Sequence, residues 1–135
     1  MLSQWLVLAS AALIALLGGA HMLFTFVGNK LHPREAELIT RMQEVAPVIS
    51  RQTTMWRAWV GFNASHSLGA MLFGAVYGYL AMAQPALLFG SWFLGLIGLA
   101  TLLCFLVLAV RFWFNRPLQG ISLALVLYVA GFLVA

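Results

Sequence analysis

The sequence predicts an all-α fold, a four-helix transmembrane bundle with a short amphipathic loop helix. Of its 135 residues, 64% are apolar and only 7% are charged, whereas roughly 25% of the residues in a soluble domain are charged. The mean hydropathy is +1.01. All ten charged residues fall within residues 30–57 and 111–116, so the rest of the chain carries no charged side chain. Together these observations exclude a soluble protein and a disordered one.

Four apolar stretches are long enough to cross a bilayer, which takes about 20 helical residues. We predict the spans at residues 2–28, 58–82, 86–110 and 118–135, all within a single integral membrane domain, 1–135. Because backbone polar groups cannot stay unpaired in hydrocarbon, uninterrupted apolar runs of this length form helices. Their continuous apolarity does not fit the alternating pattern of barrel strands.

The one extended connection between spans is predicted at residues 29–57. After Pro33, apolar residues recur at helical spacing: Leu38, Met42, Val45 and Ile49. This pattern predicts a short amphipathic helix on the inner membrane surface, broken near Pro47. Such a helix is either a lipid or partner contact or a solvated connector, and both interpretations stay open.

The distribution of lysine and arginine predicts the orientation in the membrane. Every Lys and Arg lies in the two charged windows, which follow the first and third spans and therefore lie on one side. The positive-inside rule places that side in the cytoplasm, so that both termini are periplasmic. The net charge of +4 is small and topology alone accounts for it, so we expect the lipid bilayer as a partner and no nucleic acid.

Small residues at helical spacing predict close packing between the spans. They are Ala70, Gly74 and Gly78 in the second span, Gly95 and Gly98 in the third, and Ala124 and Gly131 in the fourth. Such surfaces can also pack against a second copy or within a larger membrane complex, and both of these assemblies stay open.

Two histidines lie inside the spans, His21 in the first and His66 in the second. With a rise of about 1.5 Å per residue, His21 lies roughly 10 Å from the inner end of its span and His66 roughly 12 Å from the same side. We therefore expect the two imidazoles at the same depth. Consecutive helices are usually neighbours, which favours contact between them.

Other polar residues share the faces that carry these histidines. Thr25 lies one turn after His21, and Asn63 and Ser67 lie on the same face as His66. Polar groups at this depth are costly and commonly functional. We predict an intramembrane His/Asn/Ser pocket between the first two spans, with His21, Thr25, Asn63, His66 and Ser67 as the ligand-binding residues, and we assign no catalytic residue.

Four interpretations of this cluster stay open. The first is a structural seam, in which the polar side chains bond to one another and fix the packing of the helices. The second is a pocket for a lipid-soluble ligand such as a quinone. The third is a b-type haem site with His21 and His66 as axial ligands, and the fourth is a copper or zinc site. A copper or zinc site would need Cys104 or His32 as a further ligand.

The corresponding functions are a ligand-binding or accessory membrane protein, which we favour over an enzyme, a membrane redox protein that binds b-type haem or quinone, and a structural subunit of a larger complex. A single cysteine excludes thiol–disulfide chemistry by a Cys pair. The absence of any charged residue within a span counts against proton-coupled transport.

Three short motifs in the first half of the chain resemble those of a known family. They are Gly19-Ala20-His21, Met55-Trp56, and Gly61-Phe62-Asn63-Ala64-Ser65-His66-Ser67-Leu68-Gly69. In these the chain resembles a family of small bacterial four-helix membrane proteins of unknown function. The resemblance covers most of the first two spans and the basic loop. It implies a four-helix fold in a bacterial inner membrane, and it implies no activity and no ligand.

Overall fold

The computed structural model describes residues 1–135, which form six helices and no strand. The helices are α1 (Leu2–Phe26), α2 (Ala36–Glu44), α3 (Met55–Ala83), α4 (Pro85–Gly90), α5 (Trp92–Phe112) and α6 (Asn115–Leu133). Four of them, α1, α3, α5 and α6, are long and apolar enough to cross a bilayer. The predicted all-α fold with four transmembrane helices is confirmed, and its architecture is that of a small multi-pass membrane protein.

The first helix ends slightly earlier than predicted. α1 stops at Phe26, and Gly28 follows with a φ of +81°. A left-handed residue cannot continue a right-handed helix, and glycine adopts this conformation without steric cost. The chain therefore leaves the helix at Gly28 and enters the connection.

The second membrane helix is longer than its predicted span of 58–82. α3 begins at Met55, because the Thr54 hydroxyl accepts a hydrogen bond from the backbone N–H of Arg57 (3.3 Å) and caps the first turn. The prediction placed the boundary after the last charged residue. A helix instead continues into the polar interface until a capping residue ends it.

The predicted third span, 86–110, is wrong as a single helix. The chain forms the short helix α4 and then α5, with Ser91 between them in an extended conformation (φ −104°, ψ 105°). The Ser91 hydroxyl accepts a hydrogen bond from the backbone N–H of Leu94 (3.3 Å). A serine side chain that bonds to the backbone of the following turn favours a helix start at that serine over continuation of the preceding helix. Hydropathy does not depend on such capping, so it predicts one continuous span.

The predicted fourth span, 118–135, is shifted towards the N-terminus. α6 begins at Asn115, three residues before the predicted start, and includes Pro117 in its first turn. Proline is tolerated there because the first N–H groups of a helix have no partner within the helix.

The amphipathic loop helix exists but is shorter than its apolar pattern. α2 covers nine residues and ends at Glu44 with Val45 as its cap, and none of its residues is buried. Ile49, which shares the predicted spacing, lies outside the helix. The residue before a proline avoids the helical conformation, so the chain leaves the helix ahead of Pro47.

The contacts within the chain group into two compact units. The first comprises Met1–Leu17 and Ala70–Ala135. In it, α1 packs against α3 where Gly74 faces Ala11 and Ala15. The buried hydroxyl of Ser10 donates a hydrogen bond to the carbonyl oxygen of Ala124 in α6 (2.7 Å). Small side chains therefore let neighbouring helices approach closely in this unit, as the sequence predicts.

Two tyrosines link α3 and α6 to the start of α5 in the same unit. The Tyr77 hydroxyl donates a hydrogen bond to the carbonyl oxygen of Leu94 (2.7 Å), and the Tyr128 hydroxyl donates one to that of Gly95 (3.1 Å). The two rings meet edge to face, with centroids 5.7 Å apart. The Tyr128 ring lies over Gly98, where any Cβ atom would overlap its hydroxyl. This part of the unit accommodates the aromatic groups only because residue 98 has no side chain.

The second unit comprises Gly18–Gly69, the C-terminal part of α1, the connection with α2, and the N-terminal part of α3. The Trp59 indole in α3 donates a hydrogen bond to the carbonyl oxygen of Leu31 (3.1 Å). The rings of His32 and Trp56 meet edge to face at 4.9 Å. These contacts tie the connection to the first turns of α3. They hold the ends of both helices in place, and His21, Asn63 and His66 meet between those helices.

Candidate functional site: a polar cluster in the second unit

The candidate site is built from two helical faces in the second unit. α1 contributes His21 and Thr25, one turn apart, and α3 contributes Asn63, His66 and Ser67. No proline interrupts either helix here, so the spacing of three and four residues places each set on one face. The structure brings His21, Asn63 and His66 together across the helix pair.

The contact between the helices at this site is a hydrogen bond between His21 and Asn63. The Nε2 atom of His21 lies 2.9 Å from Oδ1 of Asn63. The amide nitrogen of Asn63 donates to the carbonyl oxygen of Trp59 (2.8 Å), which fixes the orientation of the amide. Oδ1 can only accept, so Nε2 of His21 carries the proton of this hydrogen bond, and in the corresponding neutral tautomer Nδ1 is an acceptor.

The second imidazole lies against the first. The ring centroids of His21 and His66 are 5.5 Å apart, and their planes are nearly perpendicular at 89°. Both side chains are partly exposed, within helices whose other residues are mostly apolar. The equal depth expected from the sequence is therefore accompanied by direct ring contact. An imidazole pair places several polar atoms in one small region of the span.

The two hydroxyl residues of the predicted site bond within their own helices. The Thr25 hydroxyl donates to the carbonyl oxygen of His21 (2.8 Å), and the Ser67 hydroxyl donates to that of Asn63 (2.9 Å). Ser67 is 0% exposed, whereas Thr25 is partly exposed. Each hydroxyl therefore braces the turn that carries a member of the cluster. The Thr25 oxygen keeps the capacity to accept from a neighbouring group.

Trp59 also belongs to the site, although its sequence position alone does not predict this. Its backbone carbonyl orients Asn63, and its indole holds the connection at Leu31. The available signal was its position four residues before Asn63, one turn away on the same face. Tryptophan near a span boundary is ordinarily explained by the membrane interface alone. That explanation does not predict the hydrogen bond between the Trp59 carbonyl and Asn63.

The geometry also bears on the haem and metal hypotheses. Nε2 of His21 is already hydrogen-bonded to Asn63, so axial ligation through this atom would require the hydrogen bond to break and the ring to turn. No group of three or more His, Cys, Asp or Glu side chains comes together in the chain. The further ligand that a copper or zinc site needs is therefore not supplied, and His32 instead contacts Trp56.

The arrangement is suited to hydrogen bonding with an uncharged molecule. It offers an acceptor at His21 Nδ1, a second imidazole at His66, and a threonine oxygen within an apolar helix pair. No buried side-chain nitrogen or oxygen lacks a hydrogen-bond partner.

Comparison of the chain with protein-family models, curated proteins and solved structures gives no match.

Proposed function

We propose that this small multi-pass membrane protein binds a lipid-soluble ligand at His21, Thr25 and His66, with Asn63 holding the His21 ring in place. The ligand would be an uncharged molecule with hydroxyl or carbonyl groups, such as a quinone or its quinol. The observation that carries the proposal is the pair of partly exposed imidazoles in contact within membrane-spanning helices. Polar side chains at this depth are costly, and a ligand that bonds to them gives a reason for their presence.

The hydrogen bonds of the cluster define what the ligand would offer. His21 Nε2 is used by Asn63, which leaves Nδ1 to accept a hydrogen bond from a ligand hydroxyl. Thr25 is partly exposed one turn away, and its oxygen provides a second acceptor. A molecule with only apolar groups would leave these acceptors without a donor, which is unfavourable in hydrocarbon.

Two residues act by positioning others in this proposal. Asn63 holds the His21 ring in one tautomer and one orientation, and its own amide is held by Trp59. Ser67 is fully buried and bonds to the backbone of Asn63, so it supports the α3 turn without touching a ligand. Only His21, Thr25 and His66 would then contact the ligand directly.

The location in the cell is part of the same proposal. We infer a bacterial inner membrane, with the connection of residues 29–57 in the cytoplasm and both termini in the periplasm. The support for the orientation is that every Lys and Arg lies in the connections that follow α1 and α5 or in the helix turns that adjoin them. A ligand dissolved in the bilayer would reach the helix pair from within the membrane.

Quinone titration of the full chain in lipid nanodiscs tests the proposal. Trp59 lies one turn from Asn63, so a quinone bound at the cluster will quench tryptophan fluorescence. We expect saturable quenching by a short-chain ubiquinone with the unchanged chain. The His21→Leu variant should lose the saturable component. His21→Gln keeps a polar side chain of similar length and is measured beside it. Saturable quenching that His21→Gln retains and His21→Leu loses would show that the loss comes from the missing polar group.

The matched control is a threonine pair. Thr25 and Thr101 both donate to the carbonyl four residues earlier, at 2.8 Å, but Thr101 lies in α5 outside the cluster. Thr25→Val should weaken quinone binding, and Thr101→Val should leave it unchanged. Quenching that is linear, and equal in the unchanged chain and in His21→Leu, would overturn ligand binding and leave the cluster as a packing contact between helices.

A further inference from the structure

The connection between α1 and α3 carries an apolar segment, Pro47–Val48–Ile49, which we call the apolar tip and whose last two residues are exposed. Val48 is fully exposed and Ile49 is 93% exposed. The tip follows the amphipathic helix α2, whose apolar residues Leu38 and Val45 are also exposed. Branched apolar side chains this exposed are unfavourable in water, so the tip requires an apolar environment that the chain itself does not supply.

The structure fixes the height of this segment relative to the membrane-spanning helices. The backbone N–H of Met55, the first residue of α3, donates to the carbonyl oxygen of Val45 (2.8 Å). The end of α2 therefore lies beside the start of α3. The next residue, Trp56, contacts His32, and tryptophans at span ends mark the bilayer interface. The tip begins two residues after Val45, and so it lies close to that interface.

The connection that carries the tip has more positive than negative side chains. Residues 29–57 contain five Lys and Arg side chains and three Glu side chains. One ion pair forms among them, between Arg41 and Glu44 (3.1 Å). Arg51 lies two residues after Ile49 and is exposed, and Arg57 lies in the first turn of α3. Cations beside exposed apolar side chains match a surface with phosphate groups above hydrocarbon.

We propose that the apolar tip inserts into the head-group region of the bilayer that α1 and α3 cross, with Arg51 on anionic lipid phosphates. The occupant of this surface is the lipid leaflet itself, because both ends of the connection continue into helices that cross the membrane. The inference is independent of the proposed ligand site, since it rests on different residues. It makes the connection a membrane-bound segment rather than a solvated linker.

Site-directed fluorescence in nanodiscs tests this assignment. The one cysteine of the chain, Cys104, is replaced by alanine, and a polarity-sensitive probe is attached at Val48→Cys or at Gln43→Cys. Both positions are exposed, so neither substitution removes a packing contact, and Gln43 is a polar position of α2. The probe is quenched by aqueous iodide in one series and by a shallow spin-labelled lipid in the other.

We expect the Val48→Cys probe to show a blue-shifted emission, several-fold weaker iodide quenching than the Gln43→Cys probe, and stronger quenching by the lipid label. Adding phosphatidylglycerol to phosphatidylcholine nanodiscs should increase this difference, and Arg51→Gln should reduce the increase. Equal iodide quenching at the two positions would overturn the insertion. Lipid quenching that does not respond to phosphatidylglycerol would overturn the role of Arg51.

Discussion

A single amide determines the chemistry of the polar cluster. Asn63 donates through its nitrogen to the Trp59 carbonyl and accepts through its oxygen from His21. A flipped amide would turn its oxygen towards the Trp59 carbonyl oxygen, so the amide cannot flip without losing that hydrogen bond. The consequence is a His21 ring with a defined proton position and an acceptor nitrogen on its other side. A ligand would therefore meet a preorganised acceptor, which lowers the cost of ordering on binding.

The hydrogen bond between His21 and Asn63 should appear as energetic coupling between the two positions. We expect His21→Leu and Asn63→Leu to be non-additive, with a coupling of about 0.6 kcal/mol and at most about 1.7 kcal/mol, the range for such bonds in membranes. The measurement is a double-mutant cycle on the free energy of unfolding in mixed micelles with increasing dodecyl sulfate.

A serine in the same helix provides the control for this cycle. The exposed Ser65 bonds to the Phe62 carbonyl within α3 and points away from the cluster. His21→Leu combined with Ser65→Ala should therefore be additive. If His21→Leu and Asn63→Leu were also additive, the two side chains would not bond to each other in the membrane.

At the scale of elements, the packing of α1 on α3 in the first unit depends on one glycine more than on its neighbour. A Cβ at Gly74 would lie 2.5 Å from the Cβ of Ala15 and 2.6 Å from the carbonyl oxygen of Ala11. A Cβ at Gly78 would meet Leu8 at 3.7 Å, an ordinary contact. The two glycines are one turn apart and look alike in the sequence, but only the first is in contact with backbone.

We expect Gly74→Ala to lower the free energy of unfolding by about 1–3 kcal/mol, because the added methyl group forces a helix backbone to move. Gly78→Ala should change it by less than about 0.5 kcal/mol. Denaturation in dodecyl sulfate, followed by circular dichroism, compares the two variants under identical conditions. Equal stability of the two variants would show that α1 and α3 are not packed as closely as the structure has them.

At the scale of the whole molecule, the distribution of the charged residues predicts how the chain is oriented in the membrane. Eight of the ten charged residues lie between positions 30 and 57. The remaining two, Arg111 and Arg116, flank the short connection between α5 and α6. Four crossings would place both termini on one side, and from the positive-inside rule we propose that this side is the periplasm.

Cysteine accessibility in a bacterial host checks this orientation. In the Cys104→Ala background, Gln84→Cys lies between α3 and α4 and Gln43→Cys lies in α2, and both positions are exposed. We expect a membrane-impermeant maleimide to label Gln84→Cys in intact spheroplasts and Gln43→Cys only after lysis. The reverse pattern would invert the topology, and the ligand and apolar-tip proposals would survive that inversion.

Much of the candidate site could be predicted from the sequence, because helical periodicity and rise are fixed. His21 and His66 were expected at one depth, and Asn63 on the face of His66, from spacing alone. The edge-to-face ring contact, the tautomer of His21 and the part played by Trp59 could not be predicted. They depend on how far each helix is rotated about its axis, and spacing along one helix does not determine rotation relative to another.

The sequence by itself determined the four transmembrane helices, because bilayer thickness and the need to pair backbone groups act on each contiguous segment separately. The tertiary structure alone decided which side chains meet. At Gly74 the absence of a side chain allows α3 to contact the backbone of α1, whereas at Gly78 there is room for a Cβ atom. Ser91 separates α4 from α5 because its side chain caps the first turn of α5. These outcomes depend on packing and capping geometry in three dimensions. Hydropathy averages over both, and so it finds the membrane helices without locating their contacts.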